Sequence, residues 1–318
     1  MTLAELRYIV SLAKERHFGR AAAACCVSQP TLSMAIKRLE QELGVSLFER
    51  APAGTWPTPT GQGIVARARL ALNHIEAMRV LTGPDGEHTL RLGALPSLAS
   101  AVLPRAVAHL HRQWPGRLAL QVEQNDVDRL AAKLQNGELD ALLLVTPFAV
   151  PDIVTRTLYE EPLVVVMPET HPLAACETVP AERLQDWTLL LPEAYEGARE
   201  ALLAQCPFLA TPPSLAVGHT VLTHAGPEMV RHMVALGEGI SVLPQSMASG
   251  LHPGSPGLTV RPFAGAAPVR TLALAWRTSF PAPQLVDSLV EVLEATAPCH
   301  WLDNACWPSG LLVENGHW

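Results

Sequence analysis

Along the first sixty residues the apolar positions recur at helical rather than strand spacing. Leu3, Leu6, Val10 and Ala13 line one face of a first helix, and Thr2-Leu3-Ala4-Glu5 sets a capping-box pattern at its start. Arg20-Ala21-Ala22-Ala23-Ala24-Cys25-Cys26 predicts a second, small-residue helix, whose short side chains let a neighbouring helix cross closely. In a third helix Leu32, Ile36, Leu39 and Leu43 follow at spacings of four, three and four and form one buried stripe. The opposite face carries Pro30, Met34, Lys37, Arg38 and Gln41, flanked by Thr31 and Ser33. Ser28 is placed to cap this helix, and Pro30 sits in its first turn, where a missing N–H breaks no bond. A capped helix with a cationic outer face, entered from a small-residue helix through a tight turn, suits a DNA major groove.

Further on the pattern changes twice. Ile64, Val65, Ala68, Leu72, Ile75, Met78, Val80 and Leu81 predict one long helix over Gly61 to Leu81, and Gly83-Pro84-Asp85-Gly86 breaks it. An apolar helix between two domains predicts pairing with a partner chain; the alternative is packing on the domain that follows. From Leu90 onward short apolar runs alternate with helical segments. The runs are Leu90 to Leu95, Leu118 to Val122, Ala141 to Val145, Leu163 to Met167, Thr188 to Leu191, Leu215 to Val217, Ile240 to Leu243 and Leu272 to Trp276. Between them Val102 to Trp114, Val127 to Asn136, Met229 to Leu236 and Gln284 to Glu294 are helical. That alternation predicts an α/β fold with largely parallel sheets, which take ligands beyond the carboxyl ends of their strands.

Residues 1–61 resemble the N-terminal domain of LysR-type transcriptional regulators. The matching residues are Leu6-Arg7-Tyr8-Ile9-Val10, His17-Phe18, Ala21-Ala22, Val27 to Ser33, Ile36, Leu39-Glu40, Leu43-Gly44, Leu47-Phe48-Glu49-Arg50 and Thr58-Pro59-Thr60-Gly61. The resemblance implies a winged helix-turn-helix with Arg50 to Thr58 as the wing. It implies that Ser28, Gln29, Pro30, Thr31, Ser33, Met34, Lys37 and Arg38 form the DNA face and that Arg50 reaches a phosphate. Family wings usually carry several cations, whereas Ala51 to Pro57 holds none. Over about 90–297 the resemblance continues more weakly. It implies a two-subdomain sensor like a periplasmic binding protein, with crossing strands near Phe148 to Leu163 and Val260 to Val269. The expected division is then 1–61 for the DNA-binding domain, 62–89 for the linker helix and hinge, and 90–297 for the sensor. Subdomain 1 covers 90–162 plus 268–297, subdomain 2 covers 163–267, and 298–318 is an extension.

The net charge of −7 argues by itself against a nucleic-acid binder, but its distribution reverses the argument. Residues 1–90 hold ten Lys/Arg and eight Asp/Glu, a balance of +2, and the remainder thirteen and twenty-two, a balance of −9. Neither a signal-peptide pattern nor an apolar run approaching the ~20 residues of a membrane span is present, so the expected location is cytoplasmic. In that compartment a disulfide framework is not expected of the six cysteines. Cys25 and Cys26 read as small residues of a tight helix near the core.

A small effector is expected between the two subdomains. Candidate contacts are Ser97 and Leu98 after the first sensor strand, Asn125, Thr146, Gly197, and His219 with Thr220; helix capping and loop hydrogen bonding are the competing roles. The runs Glu5 to Val10 and Glu15 to Arg20 are most similar to the peroxide-sensing, OxyR-like branch of the family. That branch uses a peroxidatic cysteine and a resolving cysteine about nine residues later. Cys206 matches the resolving position, while Tyr195-Glu196-Gly197, at the partner position, offers no thiolate. The expectation is a regulator of that ancestry without the disulfide switch, with Cys206 as a buried structural thiol. In the tail Cys299, His300, Cys306 and His317 match no zinc spacing.

The expected function is a transcriptional regulator, with no enzymatic activity, cofactor or metal. Its expected partners are double-stranded operator DNA, a small effector and a second copy of the chain through the linker helix, extending to a tetramer. RNA polymerase is a further candidate partner. An α/β binding protein or enzyme is the competing class, but no phosphate loop, clustered metal ligands or nucleophile elbow speaks for it. Within the family, the alternative is an oxidative-stress regulator with a non-disulfide signal.

Overall fold

The computed structural model describes residues 1–51, 54–82, 88–116, 118–191, 197–210, 227–248 and 257–297. Helix α1 (Leu3–Glu15) starts with the predicted capping box: the Thr2 hydroxyl accepts from the Glu5 N–H, and the Glu5 carboxylate accepts from the Thr2 N–H at 2.7 Å. It stops at Arg16, which turns the chain in a left-handed conformation, φ 54°. Helix α2 (Phe18–Ala24) is capped by His17, whose Nδ1 accepts from Gly19 and Arg20. It ends two residues earlier than expected. Cys25 is its half-buried C-cap, and Cys26 is exposed in the turn at φ 56°, not in a helix near the core.

Helix α3 (Gln29–Leu43) buries Leu32, Ile36 and Leu39 against Leu6, Ile9, Leu12, Ala21 and Ala22, while Leu43 lies outside this core and is exposed. Gly44, at φ 69°, ends the helix. Strands β1 (Phe48–Ala51) and β2 (Gly54–Pro57) form the antiparallel wing hairpin. Glu40 Oε1 accepts from the N–H groups of Leu47 and Phe48 and so ties the wing to α3.

Helix α4 (Pro59–Thr82) begins where Thr58 accepts from the Gly61 N–H. A β-carbon on Gly61 would lie 2.0 Å from the Leu47 carbonyl oxygen, so only glycine fits the close crossing of the wing. Farther along, α4 docks on the sensor. Arg69 pairs with Glu138 at 2.8 Å, and Asn73 Nδ2 donates to the Gly137 carbonyl at 2.9 Å. The hinge Gly83 to Gly86 falls outside the described residues.

The sensor's elements run in the order β3 (His88–Ala94), α5 (Pro96–Ala101), α6 (Leu103–Gln113), β4 (Leu118–Gln124), α7 (Val127–Gln135), β5 (Ala141–Val145), β6 (Ile153–Pro168), α8 (Ala198–Gln205), α9 (Pro227–Ala235), β7 (Ser241–Pro244), α10 (Gln245–Ala248), β8 (Leu258–Pro262), β9 (Val269–Arg277) and α11 (Pro283–Thr296). Strand order is β4-β3-β5-β9-β6-β7, with β8 paired to β6. The expectation of largely parallel sheets is corrected: β3 pairs in parallel with β4 and β5, but β5–β9, β6–β9, β6–β7 and β6–β8 are all antiparallel. The crossings cause this: β6 runs through both subdomains, and β9 re-enters the first one against the direction of β5 and β6.

The first crossing is one continuous strand, β6. Its first half pairs with β9, and its second half, from Leu163, pairs with β7 and β8. The chain returns between Pro262 and Val269. The run Thr188 to Leu191 forms only an isolated bridge, Leu189 to Ile240, rather than a strand, and Leu215 to Val217 lies outside the described residues. Two cores result. One, from Leu90 to Ala297, is sandwiched between β3, β5, β9 and the helices α6, α7 and α11. The other is built from Leu163 to Met167, Leu202, Val230, Val234, Ile240 and Leu243.

Candidate DNA interface and sensor cleft

The interface is set by local capping. Ser28 Oγ accepts from the Thr31 N–H at 3.3 Å and shares a 2.8 Å hydrogen bond with the Thr31 hydroxyl. Gln29, Pro30, Thr31, Met34, Lys37 and Arg38 are exposed, and Ser33 is half-buried at the edge of the same face. Arg38 is anchored without being hidden: its Nε lies 3.6 Å from the buried Glu5 carboxylate. Burial opposes ionisation of Glu5, but the Thr2 hydrogen bonds, Arg38 and the N-terminal ammonium outweigh it and hold this carboxyl below the ordinary carboxylate value. Arg50 sits in β1 opposite Thr55; its side chain is outside the described residues.

At the sensor, sequence reasoning marked loop residues but missed the pair that joins them. Arg270, on β9, is 1% exposed and Glu161, on β6, is fully buried. Arg270 Nε donates to Glu161 Oε2 at 2.8 Å, and Nη1 donates to Ser97 Oγ at 3.0 Å. Glu161 Oε1 accepts from the Ser246 N–H at 2.7 Å. One ion pair therefore links α5 of the first subdomain, both crossing strands, and α10 of the second. Arg270 Nη2 also lies 2.8 Å from Glu161 Oε2, but makes no hydrogen bond there. The signal that could have found this pair was a charge at the entry to each apolar run, Glu161 before Leu163 to Met167 and Arg270 before Leu272 to Trp276.

Ser97, a predicted effector contact, is thus buried and already engaged. Leu98 is fully buried in the core, and its N–H bonds the Leu95 carbonyl, so it offers a ligand neither side chain nor donor. Asn125 accepts from the Asp126 N–H, and Asp126, not Asn125, caps α7. Thr146 follows the end of β5, and its N–H donates to the Thr271 carbonyl at 2.9 Å, while Gly197 meets the neighbouring Val145. Gly197, at φ 72°, precedes α8, and a β-carbon there would lie 2.4 Å from Val145 Cγ1. The backbone at 197 therefore rests directly on the end of β5. His219, Thr220 and the tail cysteines lie outside the described residues. Cys206, at the end of α8, is buried, and burial, with help from Glu182, pushes its thiol up.

Comparison with known proteins agrees with both halves. Residues 3–62 match the family model "Bacterial regulatory helix-turn-helix protein, lysR family", and residues 84–298 match "LysR substrate binding domain". The chain is 31% identical over 307 residues to the DNA-binding transcriptional dual regulator OxyR of Escherichia coli, covering 95% of this chain and 97% of that protein. It is 36% identical over 281 residues to a probable hydrogen peroxide-inducible genes activator of Streptomyces viridosporus, covering 87% and 88%. Among solved structures, a full-length OxyR cysteine-to-aspartate variant from Pseudomonas aeruginosa superposes with a TM-score of 0.78 at 40% identity, covering 92% of this chain and 94% of that one. A hydrogen peroxide-bound OxyR variant of Corynebacterium glutamicum gives 0.60 at 26% identity, covering 93% and 92%.

Proposed function

Because the chain belongs to the LysR family of bacterial DNA-binding transcriptional regulators, we propose that it reads operator DNA through the outer face of α3, as a cytoplasmic homodimer paired along α4 that assembles further into a tetramer. The observation that carries this reading is the capped N-terminus of α3, with Gln29, Thr31, Met34 and Lys37 exposed beside the wing. In this reading Gln29, Pro30, Thr31, Ser33 and Met34 contact bases, Ser28 fixes the helix start, and Lys37, Arg38 and Arg50 contact the backbone. The chain acts as a regulator and not as an enzyme, in the domain division 1–61, 62–89 and 90–297. RNA polymerase is its partner once it is bound to DNA.

The sensor takes a small polar effector at the subdomain boundary near Thr146 and Gly197. Its binding shifts the angle between subdomains and with it the spacing of the two winged helices. The relatives respond to peroxide by name; we propose that this chain responds to a signal other than a Cys206 disulfide. Gly197 pressed on Val145 and the buried, suppressed Cys206 thiol support that reading.

The test is binding to the intergenic duplex beside the chain's own gene over a salt series. Steep salt dependence that Lys37→Ala flattens is expected, and binding indifferent to Lys37→Ala and Arg38→Glu defeats the α3 reading. A peroxide-dependent footprint that Cys206→Ser abolishes defeats the signal reading.

A further inference from the structure

The wing lacks cations between Ala51 and Pro57, yet an arginine from elsewhere in the chain lies on it. The Arg16 guanidinium stacks over the Trp56 ring, 3.8 Å from its centroid. The backbones are locked together beneath this contact. The Thr55 N–H donates to the Arg16 carbonyl at 3.0 Å, and a β-carbon on Gly54 would lie 2.9 Å from that same oxygen. The left-handed turn at Arg16 is what points its carbonyl at β2.

An open recess of about 550 Å³ lies here, between Lys14, Glu15, Arg16, His17 and Arg20 on one side and Gly54 and Trp56 on the other. Arg20 is paired with Glu15 at 3.5 Å; among the described residues no carboxylate pairs with Arg16 or Lys14. This recess adjoins the recognition helix, since Gln29 Oε1 lies 3.4 Å from the β-carbon position of Gly19, at the start of α2.

We propose that Arg16, held flat on Trp56 and assisted by Lys14, gives the wing a second phosphate-binding group besides Arg50 and grips the backbone of the same duplex whose major groove takes α3. A guanidinium stacked on an aromatic face keeps its N–H edge free, and that edge matches a phosphate's oxygens. Trp56 is a positioning residue: it supplies the face that orders an otherwise exposed side chain. The inference rests on the proposed DNA reading and deepens it by assigning a backbone contact to the stretch Ala51 to Pro57, which holds no cation of its own.

The experiment measures the full chain's affinity over a salt series for its upstream duplex and for an unrelated duplex of equal length. Arg16→Asn is the primary variant, because asparagine tolerates the left-handed backbone while removing the charge. The slope of log K against log salt is expected to fall by about 0.9 for each bound winged domain, the share of one phosphate contact, and so by about 1.8 for a dimer on DNA. It should fall equally on both duplexes, leaving their affinity ratio unchanged. Trp56→Leu is expected to lower the slope in the same direction, and Trp56→Phe to retain it; melting curves report whether each variant is folded. Wild-type slopes for Arg16→Asn overturn the proposal. A lowered slope for Arg16→Asn with a wild-type slope for Trp56→Leu overturns the role of Trp56. If the wild-type chain binds neither duplex with salt dependence, the DNA reading itself fails, an outcome distinct from either.

Discussion

At the scale of single residues, two positions carry most of the testable physics. Gly197 combines a positive φ with a contact that leaves no room for a side chain. Gly197→Ala is expected to cost about 1–3 kcal/mol, from the left-handed backbone and the clash with Val145 together. Val145→Ala in the same chain should return part of that loss. Urea unfolding of the two single variants and the double variant checks this, and strict additivity would contradict the contact. Glu5 is the second position. Its folded carboxyl is held below its ordinary value of 4.5, so its contribution is present above that pH and fades as pH falls through the lowered folded value. Glu5→Ala should therefore destabilise the protein by about 1–2 kcal/mol at neutral pH, the typical worth of a capping interaction. The gap to wild type should narrow in acid, as unfolding curves at pH 7 and pH 3 would show.

At the scale of elements, the question is how α4 can report on the sensor. Its docking point, the turn Asn136-Gly137-Glu138, is held from inside the sensor. Arg277 donates to the carbonyls of Leu134 and Leu139 and lies 3.7 Å from Asp140, which also pairs with Arg91 at 2.7 Å. A half-buried, well-anchored turn thus receives two polar contacts from the linker helix. Arg69→Ala with Asn73→Ala is expected to raise amide exchange in residues 134–140 while changing global stability by less than about 1 kcal/mol, because partly exposed pairs contribute little. Unchanged exchange there would show that the docking does not order the turn.

At the scale of the whole molecule, the Glu161–Arg270 pair is the joint between subdomains. Removing one partner leaves a buried charge unmatched, so Arg270→Met should cost about 3–5 kcal/mol. Glu161→Met with Arg270→Met should be nearly neutral in stability. The same double variant removes the tie from Ser97 to α10, so its domain angle should no longer depend on that link. Calorimetry and small-angle scattering on the variants separate the two effects, and a double variant as unstable as the single one would overturn this account of the joint.

What could be read from the chain was what neighbours in sequence decide. The cap at Ser28, the stripe Leu32-Ile36-Leu39 and the stop at Gly44 follow from bonds and faces within three or four residues, and the sequence by itself determined them. The winged domain was legible because its motifs are contiguous. The strand senses were not, since an apolar run such as Leu272 to Trp276 reads alike in parallel and antiparallel pairing. Nor were the contacts that matter most to the cleft and the wing: Arg270 with Ser97 spans 173 residues, Gly197 meets Val145 from another subdomain, and Arg16 finds Trp56 across the hairpin. Only the tertiary structure decided these, because each depends on where the crossing strands and the wing return the chain, and no local propensity encodes that return.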